Sequence, residues 1–94
     1  MKKDYLFRLY TLGKVEKSAL AVANLNRICE KYLKNRYQID VIDLENNTQM
    51  AEDSGIWATP MVERRQPAPI VRVVGDLSNE DTVLYGLGIK NINV

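Results

Sequence analysis

The sequence predicts one α/β domain: a strand–helix–strand unit, then a short helix, a hairpin and a last helix. Three observations predict it. Two β-prone runs, Tyr5–Leu12 and Tyr37–Leu44, flank a stretch with helical periodicity. Two prolines in Gln66-Pro67-Ala68-Pro69 divide a later apolar region into two arms. At 94 residues the chain has room for a single domain spanning residues 1–94.

The first run, Tyr-Leu-Phe-Arg-Leu-Tyr-Thr-Leu, is aromatic and aliphatic with one charge, and Gly13 ends it. Val15–Lys34 then reads as a helix. Val22, Leu25, Ile28, Cys29, Tyr32 and Leu33 recur at three- and four-residue steps and share one face. In the second strand, Ile39, Val41 and Asp43 point one way and Gln38, Asp40 and Ile42 the other. Strand, helix and strand make a βαβ unit with parallel strands and a right-handed crossover. Glu45-Asn46-Asn47 is a turn. Thr48 caps a short helix over Gln49–Ser54, and Gly55 stops it. The Thr59-Pro60 bond, just before a strand, is a candidate cis peptide. Met61–Arg65 and Ile70–Val74 form the hairpin. Ser78, three residues before Asp81, resembles a capping box for a helix over Asn79–Leu87, which Gly86 and Gly88 weaken. The order β-α-β-α-β-β-α is the thioredoxin-like layout.

Composition excludes much chemistry. The chain has no His, so imidazole catalysis and His metal ligands are absent. One Cys forms neither an internal disulfide nor a C-x-x-C redox pair. Thirteen basic and twelve acidic side chains nearly cancel, which argues against a nucleic-acid binder. The halves differ, with nine basic against six acidic groups in residues 1–47 and four against six in 48–94. No apolar run spans a bilayer, and the N-terminal stretch makes a poor signal peptide, so the expected compartment is the cytoplasm.

The candidate sites are few. A thioredoxin-type thiol belongs at the first strand-to-helix junction, where Thr11–Ser18 holds no Cys. Cys29 lies mid-helix and reads as a small core residue. Asp40, Asp43 and Glu45 read as surface charge, and Gly75-Asp76-Leu77-Ser78 lacks the glycines and Lys of a phosphate loop. No catalytic residue, cofactor site or metal site is expected. Arg64, Arg65 and Arg72 cluster across the hairpin, either as charge protecting an edge strand or as an anchor for an acidic partner. Trp57 suits either the core or a partner interface.

Several segments resemble the KaiB family in order and spacing. They are Leu9-Tyr10 with Gly13, Val41-Ile42-Asp43-Leu44, and Gln49 with Ala51-Glu52-Asp53. Ala58-Thr59-Pro60, Val73-Val74-Gly75-Asp76-Leu77-Ser78 and Val83-Leu84-Tyr85-Gly86-Leu87 complete the match. The resemblance covers about residues 5–88. It implies a non-enzymatic circadian-clock component that docks on a KaiC-type ATPase ring, with KaiA-like or histidine-kinase partners and no nucleic acid or membrane. It implies a partner surface over Gln49, Met50, Glu52, Ile56, Trp57 and Arg72. It also implies two arrangements of the second half: a monomeric thioredoxin-like one, and an alternative ground-state fold that forms a homotetramer. Pro60, Pro67, Pro69, Gly86 and Gly88 are the residues expected to matter for that switch. The sequence departs from the clock pattern at Lys14-Val15-Glu16-Lys17, Leu20, Asp40, Gly55, Val71 and Gly88. The alternative reading is a sensory or oligomeric module in stress or two-component signalling without a KaiC partner.

Overall fold

The computed structural model describes residues 4–53 and 55–89. The elements in chain order are β1 (Tyr5–Thr11), α1 (Glu16–Tyr32), β2 (Tyr37–Asp43), a 3-10 turn (Leu44–Asn46) and α2 (Thr48–Asp53). After them come β3 (Met61–Gln66), β4 (Val71–Val74) and α3 (Glu80–Leu87). Ser54, the expected end of the short helix, lies outside the described residues. The four strands form one sheet in the order β2-β1-β3-β4. β1 pairs parallel with β2, and β1–β3 and β3–β4 are antiparallel. This is the thioredoxin-like arrangement expected from the element order.

Alternation of side chains along β1 divides the molecule into two layers. Phe7 and Leu9 face α1 and α3, where they pack with Leu25, Ile28, Cys29, Val62, Val83 and Leu87. The α1 stripe read from the sequence is the buried one, extended by Ser18 and Ala21. Ile39 packs against this core, but Val41, expected to share its face, is exposed on the outer strand β2. Arg8 and Tyr10 face the other side of the sheet.

Local chemistry fixes the ends. Gly13 takes a φ of 67° as the chain leaves β1. Asp43 starts the 3-10 turn by accepting from the Glu45 amide at 3.0 Å. The expected capping box at Ser78 is corrected. Asn79 is the cap of α3, its Oδ1 accepting from the Thr82 amide at 3.1 Å, while the Ser78 amide donates to Asp76. Gly86, inside α3, also has a packing role. A Cβ there would lie 2.5 Å from Val73 Cγ2, so its absence lets the helix sit close on β4. Gly88 ends α3 in the left-handed region with φ 65°, and its amide reaches the Leu84 and Tyr85 carbonyls. The Thr59-Pro60, Gln66-Pro67 and Ala68-Pro69 peptides are cis.

Candidate functional site

Strand register places four loops at one end of the sheet. Thr11 pairs with Asp43, Tyr10 with Met61, and Met61 with Val74. The chain therefore leaves or enters all four strands at this end. The Gly13 amide donates to Asp43 at 2.9 Å, and the Gly75 amide to the Pro60 carbonyl at 2.9 Å. α2 and the 55–60 loop follow β2 at the same end. The sequence-predicted partner residues Gln49, Met50, Glu52, Ile56 and Trp57 all lie on that segment.

By sequence, Trp57 reads as core or as partner interface. It is 73% exposed, so it is no core residue. Gln49 and Glu52 are exposed, and Met50 and Ile56 are half-buried. Leu12, Val15 and Val74 add exposed apolar surface on the neighbouring loops and strand end. Single exposed apolar residues are ordinary, but several on adjoining loops suit a contact surface.

Arg72 stands apart. By register it lies opposite Glu63, two residues into β4 from this end. Its guanidinium is bound internally, with Nε 2.8 Å and Nη2 2.8 Å from Glu63 Oε2. Arg65 Nη1 and the Tyr10 hydroxyl donate to Oε1 of the same carboxylate at 3.0 and 3.1 Å. Burial pushes the Glu63 carboxyl up, but the donors from Arg65, Arg72 and Tyr10 outweigh it and hold the group below its usual range. Asp40, Arg8, Glu63 and Arg72 form one row of alternating charge across all four strands.

Of the arginine cluster, read as edge-strand charge or as a partner anchor, Arg64 and Arg65 lie on the inner strand β3 and Arg72 on the edge strand β4. β3 runs between β1 and β4, so both of its hydrogen-bonding edges are paired. Arg64 is buried and donates to three carbonyls: Pro67 at 3.0 Å, Pro69 at 2.9 Å and Leu87 at 2.7 Å. Sequence reading missed Glu63 altogether. The signal available was its place in a strand that must pair on both edges.

Cys29 is wholly buried, and burial pushes its thiol up to about 12. Among the described residues no cluster of three or more Cys, Asp or Glu side chains could hold a metal ion, and no helix is long and apolar enough to cross a membrane.

The KaiB domain family model matches residues 8–89. The chain belongs to the KaiB family. It is 42% identical over 89 residues to the circadian clock oscillator protein KaiB of Thermostichus vulcanus, covering 95% of this chain and 82% of that protein. The circadian clock protein KaiB3 of Synechocystis is 39% identical over 84 residues, covering 89% and 82%. In fold the chain is similar to the N-terminal domain of Synechococcus elongatus SasA, with a TM-score of 0.75 at 14% identity over 100% of this chain and 91% of that one. It is also similar to mitochondrial thioredoxin 3 of Saccharomyces cerevisiae, with a TM-score of 0.70 at 13% identity over 92% and 78%. Membership in the family accounts for a thioredoxin-like fold without a thiol at the first strand-to-helix junction.

Proposed function

We propose that this KaiB-family chain is a non-enzymatic adaptor of a circadian-type system, docking on a KaiC-type ATPase ring through α2 and the 55–60 loop. The observation that carries the site is the exposure of Trp57 beside Ile56 and α2. A large aromatic ring left in water is poorly placed for the folded monomer and well placed as an interface anchor. The partner reading comes from the family's clock members. The non-enzymatic reading is supported by the buried, high-pKa thiol of Cys29 and the lack of any His. Arg72, bound to Glu63 on the sheet face, is left out of this surface.

The test is a pull-down and titration of the purified chain against a KaiC-type ring in its nucleotide states. Trp57→Ala is expected to lower affinity at least about tenfold. Its unfolding midpoint should shift little, because an exposed side chain contributes within about 0.5 kcal/mol. Unchanged affinity in Trp57→Ala removes the site, and no binding in any nucleotide state removes the adaptor reading.

A further inference from the structure

The charges of this chain are unevenly placed. Residues 37–62 hold Asp40, Asp43, Glu45, Glu52 and Asp53 and no Lys or Arg, so all thirteen cations lie elsewhere. The fold gathers part of that run at one place. Asp43 closes β2 at the loop end of the sheet, Glu45 sits in the 3-10 turn and Glu52 on α2. Glu45 and Glu52 are exposed, and Asp43 is half-buried. The Gly13 and Glu45 amides donate to Asp43 and hold its carboxyl below the usual range. Three acids outside this run are in ion pairs: Asp4 with Arg36, Glu63 with Arg65 and Arg72, and Glu80 with Arg27 and Lys31. Among the described residues no ion pair reaches Asp43, Glu45 or Glu52. Asp40 lies further along β2, opposite Arg8. Lys14 and Lys17 come to the same end of the molecule, the first near Glu16 in the chain and the second acting on Asp76.

An independent observation marks the same segment as a contact surface. Trp57 is 73% exposed, and Met50 and Ile56 beside it in the chain are half-buried. Interfaces are built from an apolar anchor inside a polar rim, and the sign of the rim selects the partner. This rim repels polyanions, nucleic acid and anionic lipid included. A metal ion is no better a complement, since among the described residues no cluster of three or more Cys, Asp or Glu side chains could hold one.

We propose that the surface over α2 and the 55–60 loop takes a basic protein face: an apolar socket for Trp57 with Lys and Arg around it. The proposal rests on the reading of this surface as the docking site, and adds the partner's charge, opposite to that of Asp43, Glu45 and Glu52. A complementary rim acts mainly on the association rate and its salt dependence, and a buried anchor mainly on dissociation.

The experiment follows association of the full chain with the KaiC-type ring at about 50 and about 500 mM NaCl. Association is expected to slow about tenfold over that range. At low salt Glu52→Lys should slow it about fivefold. Glu30→Lys makes the same change in net charge on α1, where Glu30 accepts from the Tyr37 hydroxyl at the far end of β2, and should leave the rate within about twofold. A second arm needs no ring: the ¹⁵N-labelled chain is titrated with hexalysine and with hexaglutamate. Hexalysine is expected to shift the amides over 43–52 and the Trp57 indole first, and hexaglutamate neither. Association that stays constant or quickens with salt overturns the proposal. So does equal slowing by Glu52→Lys and Glu30→Lys, or hexalysine shifts no larger over 43–52 than over 76–81. The two readings fail separately. Trp57→Ala with unchanged affinity removes the docking site, whereas Trp57→Ala weakened beside a Glu52→Lys no slower than Glu30→Lys keeps the site and removes the basic partner. If no ring binds, the adaptor reading falls and the hexalysine arm alone decides the charge of the occupant.

Discussion

Arg64 is a cation with 8% exposure, and its surroundings explain how a charge can sit there. Nε, Nη1 and Nη2 each donate to a backbone carbonyl, two in the 67–69 turn and one at the end of α3. The guanidinium fork can do this because its donors lie in fixed directions in one plane. A Cβ at residue 88 would lie 2.6 Å from Arg64 Nη1, so Gly88 serves this contact as well as the helix end. Arg64→Met keeps the side-chain length and removes all the donors. It is expected to destabilise the domain by about 2–3 kcal/mol, measured as the midpoint of urea unfolding. Arg64→Lys should fall between, since a point charge cannot reach three carbonyls at once. A Met variant as stable as the parent would show that the carbonyls are satisfied otherwise. None of this was legible in Met61-Val62-Glu63-Arg64-Arg65. Strand composition reports pleat and exposure only when the neighbours are known, and here the inner position of β3 buries two charged residues that read as surface.

At the scale of elements, α3 is the instructive one. Its eight residues are too few to hold a helix alone. Asn79 caps its start, and Glu80 ties that start to α1. The Glu80 carboxylate accepts from Tyr32 at 2.6 Å, Arg27 at 3.0 Å and Lys31 at 3.2 Å. The Tyr32 hydroxyl first, then Lys31 and Arg27, hold the carboxyl down to about 2. The group is depressed on folding, so its contribution is present above the ordinary value of 4.5 and is lost as pH falls toward about 2. Unfolding midpoints should therefore drop over that window, and Glu80→Gln should flatten the drop. Equal pH profiles for the two proteins would remove Glu80 from the α1–α3 link. The sequence made the helices and strands legible because each carries its own period. It marked Glu80 only as a helix-terminal acid, because a contact across 53 or 48 residues leaves no local pattern.

For the whole molecule, these contacts all belong to one arrangement of the chain. The KaiB resemblance implies a second packing of the C-terminal half that forms a tetramer. Several contacts join that half to the first half, or its strands to its helix, in the thioredoxin-like packing. Glu80 binds three α1 side chains, Asn24 Nδ2 donates to the Asp76 carbonyl at 2.9 Å, and Arg64 joins β3 to the end of α3. Gly86 against Val73 lets α3 lie on β4. Local signals and distant contacts thus favour the same packing, which is the condition for one dominant state. We expect the isolated chain to be a monomer in sedimentation. Its NMR secondary shifts should be helical over residues 80–87 and extended over 61–66 and 71–74. Since about 1.4 kcal/mol changes a population ratio tenfold, the Arg64→Met, Glu80→Gln double variant is the place to look for a second set of resonances. Extended shifts over 83–89 in the parent chain, in a species of tetramer mass, would overturn the assignment. If instead the parent shows one monomeric set and the double variant two, Arg64 and Glu80 are the residues that set the balance between packings.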